Sequence, residues 1–224
     1  MTKFVAFIGQ KGGVGKSTLA RALAASALGA GYAVKTVDLD PQQATITVWA
    51  QARDRYRVSP SIRVEAFVSV KDAFAAASGE ELVIIDTPGC LSNKIAEVAG
   101  RATLLVQPTS PTVDDLYPGV LGFKALENVG VPRDKFAFAL CRTLADDEAA
   151  DARSYLKGLG FAVLAGDVPE HLDYRKAMNQ GRALTEASQP SLSARAETMI
   201  ADLLGRIGME QAARQGKLRR SGTG

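Results

Sequence analysis

The chain has 224 residues, 46% hydrophobic and 23% charged, which is enough to bury a sizeable core in one globular domain, expected over residues 1–215. No stretch approaches the roughly 20 uninterrupted apolar residues that cross a bilayer, and Met1-Thr2-Lys3 leads into a strand pattern, so a cytoplasmic protein without a membrane partner is expected. The net charge of +3 is uneven: nine Lys/Arg face six Asp/Glu from Glu170 onward, an excess that fits nucleic acid or an anionic surface as well as a solvated helical face.

In chain order, strand-like apolar runs occur at residues 4–8, 33–37, 62–66, 82–85, 103–106 and 136–140, with a weaker one at 161–164. Helix-like segments at 18–30, 42–56 and 111–128 alternate with them. From Leu172 the pattern is helical, interrupted at Gly181 and resuming after Pro190. The alternation predicts an α/β fold, a doubly wound and mostly parallel sheet with helices on both faces. Residues 216–224 read as a disordered basic tail. Cys90 and Cys141 lie far apart without a C-x-x-C pair, which points to two buried thiols instead of a disulfide framework or zinc site.

The first strand runs directly into Gln10-Lys11-Gly12-Gly13-Val14-Gly15-Lys16-Ser17-Thr18. A glycine-rich loop that opens a helix offers backbone N–H groups and the positive end of the helix dipole to an anion, and phosphate is the obvious guest. Gly12, Gly13 and Gly15 let the backbone curl around oxygens, Lys16 supplies a charge for the β and γ phosphates, and Ser17 can ligate Mg2+. The usual G-x-x-x-x-G-K-[ST] pattern would place glycine at position 10; here stands Gln10, followed by a second lysine, Lys11.

Two more strand ends fit the same site: Val37-Asp38-Leu39-Asp40-Pro41-Gln42 and Asp86-Thr87-Pro88-Gly89. In doubly wound sheets ligands bind at the carboxyl ends of strands, so these acids should converge on the phosphate loop. Asp86 follows four apolar residues, where P-loop enzymes keep a carboxylate for Mg2+. Gly89 would let the next loop move with the γ-phosphate.

Together the three motifs resemble the ParA/MinD family of deviant Walker-motif ATPases, specifically the short partition-type members that lack an N-terminal helix-turn-helix domain. The resemblance extends over about residues 3–205, through Trp49, Gln107-Pro108-Thr109-Ser110-Pro111 and Tyr174-Arg175-Lys176-Ala177. It implies a P-loop NTPase fold, ATP and Mg2+ as cofactors, and a nucleotide-sandwiched homodimer in which Lys11 reaches the partner's phosphates. It further implies catalytic roles for Lys11, Lys16 and Asp40, with Asp40 positioning water and counted among the metal-site residues. Nucleotide contacts would come from Lys11 to Thr18, Val14 included, and metal contacts from Ser17 and Asp86, leaving Asp38 open between a metal-shell and a structural role. Where such proteins carry Asn or Thr before an arginine that reads the base, this chain has Leu140-Cys141-Arg142-Thr143, so Arg142 is either a base contact or an ordinary surface arginine.

The branches of the family differ in cargo. Met199, Ile200, Leu203, Leu204, Ile207 and Met209, within a helix-like stretch at 198–214, look like a core-packed face instead of a membrane-binding one. An iron–sulfur reading lacks a glycine-rich cysteine motif. The partition branch implies non-specific DNA binding, nucleoid association in the ATP state, and a centromere-binding or cargo-adaptor protein that stimulates slow hydrolysis. Arg175, Lys176 and Arg182 are candidate DNA contacts, with Arg195, Arg206 and Arg214 nearby and Arg53, Arg55 and Arg57 as a second cluster. A plasmid is the simplest cargo; a protein assembly such as a carboxysome or chemotaxis array, a membrane-associated relative, and a metabolic P-loop enzyme are the alternatives.

Overall fold

A computed structural model describes residues 1–77, 79–89 and 93–209. At its centre β1 (Lys3–Phe7) lies between β4 (Leu82–Asp86) and β5 (Leu104–Thr109). Outward from β4 come β2 (Val34–Asp38) and β3 (Val64–Ala66); outward from β5 come β6 (Phe136–Thr143) and β7 (Ala162–Val163), while β8 (Val168–Pro169) pairs with the far end of β6. Every pairing among the described residues is parallel. The fold is therefore the α/β sheet of a P-loop NTPase.

Alternation along the central strands builds two cores. Val5 and Phe7 on β1, with Leu82 and Ile84 on β4, pack under α1 (Lys16–Gly29), α2 (Thr45–Arg55), α7 (Leu172–Asn179) and α8 (Pro190–Arg206). Ala6, Val83 and Ile85 point the other way, under α3 (Val70–Ala75), α4 (Asn93–Arg101), α5 (Val113–Asn128) and α6 (Asp146–Gly158). A period of two with both phases apolar is what a sheet covered on both faces requires. On the second face Phe123 stacks on Phe136 at 4.5 Å and meets Phe138 edge-on at 4.7 Å.

Several boundaries shift from expectation. The helix expected at 42–56 begins only at Thr45, because Ala44 takes a left-handed conformation (φ 47°) and its N–H closes a turn on the Asp40 carbonyl. Of the stretch expected at 198–214, the part up to Arg206 belongs to α8, and residues 210–214 lie outside the described residues. Met199, Ile200, Leu203, Leu204, Ile207 and Met209 are all buried. No helix among the described residues is long and apolar enough to cross a membrane. Cys90, Arg214 and the expected tail at 216–224 lie outside the described residues.

Candidate nucleotide and metal site

Register fixes where the site forms. Phe7 pairs with Asp86, and Asp86 with Asp38, so the loops leaving β1, β4 and β2 start side by side at one sheet edge. The loop after β1 opens α1, whose first residues close the floor of a cavity of about 230 Å³ lined by Gly12, Gly13, Gly15, Lys16, Ser17 and Thr18 together with the strand-end acids. Gly15 precedes the helix at φ 116°, a left-handed backbone that strains any L side chain, although a Cβ there would only touch Cys141 Sγ at 3.4 Å and Pro108 Cβ at 3.5 Å. Gly12 is different: its φ is not positive and a Cβ there would meet open space, whereas a Cβ on Gly89 would stand 3.3 Å from the Gly12 nitrogen. The two loops therefore touch backbone to backbone. Gln10, in place of the usual glycine, lies against α5 where Gly122 leaves room for its amide. Lys16 is buried and its Nζ donates to the Lys11 carbonyl at 2.9 Å, folded over the loop.

The acids divide their work. Asp38 Oδ1 accepts the Asp40 N–H and Oδ2 accepts the Thr47 hydroxyl, both at 2.9 Å, which makes Asp38 the brace that sets the Asp40 turn and the start of α2. Asp40 is less buried and faces the cavity, its Oδ1 receiving only a long 3.3 Å bond from the Gln43 N–H. Asp86 is nearly inaccessible, and its Oδ1 has no hydrogen-bond partner among the described residues. Burial pushes its carboxyl up to about 6, against the pull of the Ser17 hydrogen bond and of Lys16 and Arg21, with Asp38 adding to the rise. A buried carboxylate with an orphaned oxygen, bonded to the hydroxyl of Ser17, is the donor set that a hard divalent cation with its water shell would satisfy.

Behind these acids stands Arg21, on the face of α1 one turn after Ser17. It donates to the Thr45 carbonyl at 2.7 Å and lies over the Trp49 ring at 5.4 Å; burial lowers its pKa to about 10 while Asp86 and Asp38 hold it up. It is a fixed positive charge under the cavity floor.

Lys11 leaves the loop on the opposite side. Its Nζ donates to the Asp114 carbonyl at 2.6 Å and to Asp115 Oδ1 at 2.7 Å, at the start of α5. Asp115 Oδ2 in turn accepts the Ser110 hydroxyl at 2.6 Å. Burial raises the Asp115 carboxyl, but the bonds from Lys11 and Ser110 outweigh it and keep its pKa below the usual value.

A second cavity of about 250 Å³ shares Gly13, Gly15 and Thr18 with the first and continues past Cys141 and Arg142 to β8 and α7. Arg142, at φ 58°, donates from Nε to Glu170 Oε2 at 3.1 Å, and Arg175 bonds the other oxygen of Glu170. Cys141 is a buried thiol whose pKa burial pushes up to about 12, so it stays protonated and inert.

Residues 5–212 match the model of the CobQ/CobB/MinD/ParA nucleotide binding domain. The chain belongs to this family. Among solved structures, the family fold is shared with MinD from Pyrococcus horikoshii OT3 complexed with Mg-ADP (TM-score 0.74, 16% identity, 95% of this chain and 100% of that one). It is shared equally with a provisionally named plasmid partition protein from Borrelia burgdorferi B31 bound to AMPPNP (TM-score 0.74, 14% identity, 92% and 100%). An ATP complex of a variant of McdA from Cyanothece is similar as well (TM-score 0.71, 17% identity, 95% and 98%). Against curated proteins the chain finds no match. Identities this low speak to the ParA/MinD fold alone.

Within that ParA/MinD frame, three site residues have no motif to announce them: Arg21, Asp115 and Glu170. Only Arg21 has a signal, as the one charged residue of the alanine-rich α1 after Lys16, four residues beyond Ser17. The cationic candidates also separate. Arg175, Lys176, Arg195 and Arg206 each pair with a carboxylate of their own chain. Arg182 is exposed and has no ion pair within the described residues. Arg53, expected among surface cations, is instead completely buried; its guanidinium pairs with Glu186 at 2.6 Å, so it cannot touch DNA.

Proposed function

We propose that this chain is an ATP-hydrolysing switch that dimerises around two nucleotides and, in that state, binds DNA without sequence preference to partition or position a cargo, most simply a plasmid. The observation that carries the reading is Lys11: a second lysine in the phosphate loop, at its outer rim and aimed away from its own cavity. A cation in that position serves a neighbouring site better than its own. Delivered to a partner's phosphates, it would stabilise the charge that develops as the γ-phosphoryl leaves.

The remaining roles follow from position. The backbone from Gly12 to Thr18, Val14 among them, and Lys16 would hold the β and γ phosphates, while Arg142 would border the base. Ser17 and Asp86 would hold Mg2+, with Asp40 facing the same cavity; bound there, Mg2+ neutralises phosphate charge. Asp40, held by Asp38, would orient the attacking water. Because Gly89 contacts Gly12 and Lys11, loss of the γ-phosphate would be felt by the loop after β4 and by Lys11 together. Hydrolysis should be slow until a centromere-binding or cargo-adaptor protein accelerates it, which fits a nucleoid-associated ATP state in the cytoplasm.

Sizing by light scattering with ATP, ADP or no nucleotide, with and without duplex DNA, tests the reading. A dimer with ATP only, and DNA binding much stronger with ATP than with ADP at equal salt, is expected. Equal DNA binding in both states sinks the DNA-bound switch. Asp40→Ala is expected to accumulate as the ATP dimer, and Lys11→Ala to lose dimerisation or hydrolysis with nucleotide binding kept; wild-type behaviour of Lys11→Ala removes the trans role.

A further inference from the structure

Arg53 organises a surface it cannot itself join. From the last turn of α2 its Nε donates to the Pro60 carbonyl at 2.7 Å and its Nη1 to the Gly181 carbonyl at 3.0 Å, while both Nη atoms grip Glu186. Trp49, one turn earlier, donates to the Arg182 carbonyl at 3.2 Å. The chain at Gly181 runs so close to α2 that a Cβ there would sit 2.2 Å from the Arg53 Cα. One buried guanidinium thus binds together the end of α2, the turn before β3, and the turn after α7, the last of these 128 residues further along the chain.

Exposed arginines crowd those three segments: Arg55 and Arg57 after Arg53, Arg63 beyond Pro60, and Arg182 beside Gly181. None of the four has an ion pair within the described residues, in contrast to Arg175, Lys176, Arg195 and Arg206. The nearby acids are engaged elsewhere: Glu186 by Arg53, Glu65 by Lys35, and Asp54 by the Ser61 hydroxyl. Tyr56 adds a 56%-exposed ring between Arg55 and Arg57, and Arg57 itself occupies left-handed backbone (φ 55°), a position glycine would fill without strain.

We propose that Arg55, Arg57, Arg63 and Arg182 form one surface that grips the sugar–phosphate backbone of duplex DNA. The proposal rests on the DNA-bound reading above and assigns its contacts. Unpaired guanidiniums on a rigid base suit phosphate oxygens, since they need not first surrender a carboxylate, and such contacts carry affinity and salt dependence without sequence information. Dimerisation would place two copies of the surface on one molecule and multiply a weak grip.

The test is titration of a mixed-sequence duplex, at several salt concentrations with ATP and Mg2+, for the full chain and for Arg57→Gly combined with Arg55→Ala and Arg182→Ala. Glycine suits the Arg57 backbone, so the fold is spared. Affinity is expected to fall at least about tenfold, and the slope of log affinity against log salt to flatten by about one for each arginine removed. ATP affinity and ATP-dependent sizing should match wild type. Arg175→Ala with Lys176→Ala should flatten the slope less. Triple-variant DNA binding equal to wild type overturns the surface alone. Wild-type protein that ignores DNA with ATP overturns the DNA-bound reading and the surface with it. Loss of binding to phosphatidylserine vesicles with DNA binding intact also overturns it, assigning the arginines to lipid phosphates.

Discussion

The Lys11 ammonium makes contacts in its own chain, to the Asp114 carbonyl and Asp115, and a trans role requires both to break. Lys11 is 46% exposed, so the ion pair contributes no more than about 1 kcal/mol and is a cheap restraint. Asp115→Asn is therefore expected to lower the ATP concentration at which dimers form, by up to about fivefold. Sizing across an ATP titration checks it, and an unchanged or higher threshold counts against the restraint. Asp86 offers a second test. Its folded-state pKa of about 6 lies above the ordinary carboxylate value, so between about 4 and 6 the folded chain binds more protons than the unfolded one, and this group's contribution to stability falls as pH rises. Asp86→Asn should make the nucleotide-free protein more stable at pH 7 by about 3 kcal/mol, with a smaller gain at pH 5, in denaturant titrations. Mg2+-dependent nucleotide binding should weaken below about pH 6 in the wild type as Asp86 takes up its proton. A wild-type-minus-variant difference that does not change with pH would remove the buried-carboxylate explanation.

At the scale of elements, the turn that follows α7 is the least replaceable. Gly181 has φ 70° and lies against the Arg53 backbone, so Gly181→Ala should destabilise by more than about 3 kcal/mol, measured by chemical denaturation. An effect under about 1 kcal/mol would show that the two segments can separate. The same junction shows what sequence can and cannot reveal. β1, the phosphate loop and α1 are contiguous, and their strand, glycine and alanine patterns are local, so the phosphate side of the site could be read directly. α6 escaped because its inward face is only Ala149, Ala152 and Leu156 behind an acidic first turn. Arg53, Arg55 and Arg57 look alike in sequence; only the packing of Gly181 and Pro60 makes the first internal. Asp115 and Glu170 reach Lys11 and Arg142 through tertiary folding, and no local spacing encodes that.

Across the whole molecule, the two cavities that share Gly13, Gly15 and Thr18 join elements from both ends of the chain, from α1 to α7. A nucleotide occupying both should stabilise the entire fold. At about 100 times its Kd, ATP with Mg2+ should add about 2.7 kcal/mol, or roughly 5–10 °C in Tm, in a thermal scan. A shift confined to local probes near the phosphate loop would indicate that the α7 side does not take part.

The pairing of Phe7 with Asp86 also orders events in time. A chain being synthesised displays its phosphate loop well before β4 exists, and the acids of β2 and β4 come level only when the parallel sheet closes over long crossovers, an intrinsically slow step. Nucleotide should therefore meet a finished receptor only after the folding barrier has been passed. ATP should act as a lock on the exit, slowing unfolding in proportion to occupancy while leaving the refolding rate unchanged.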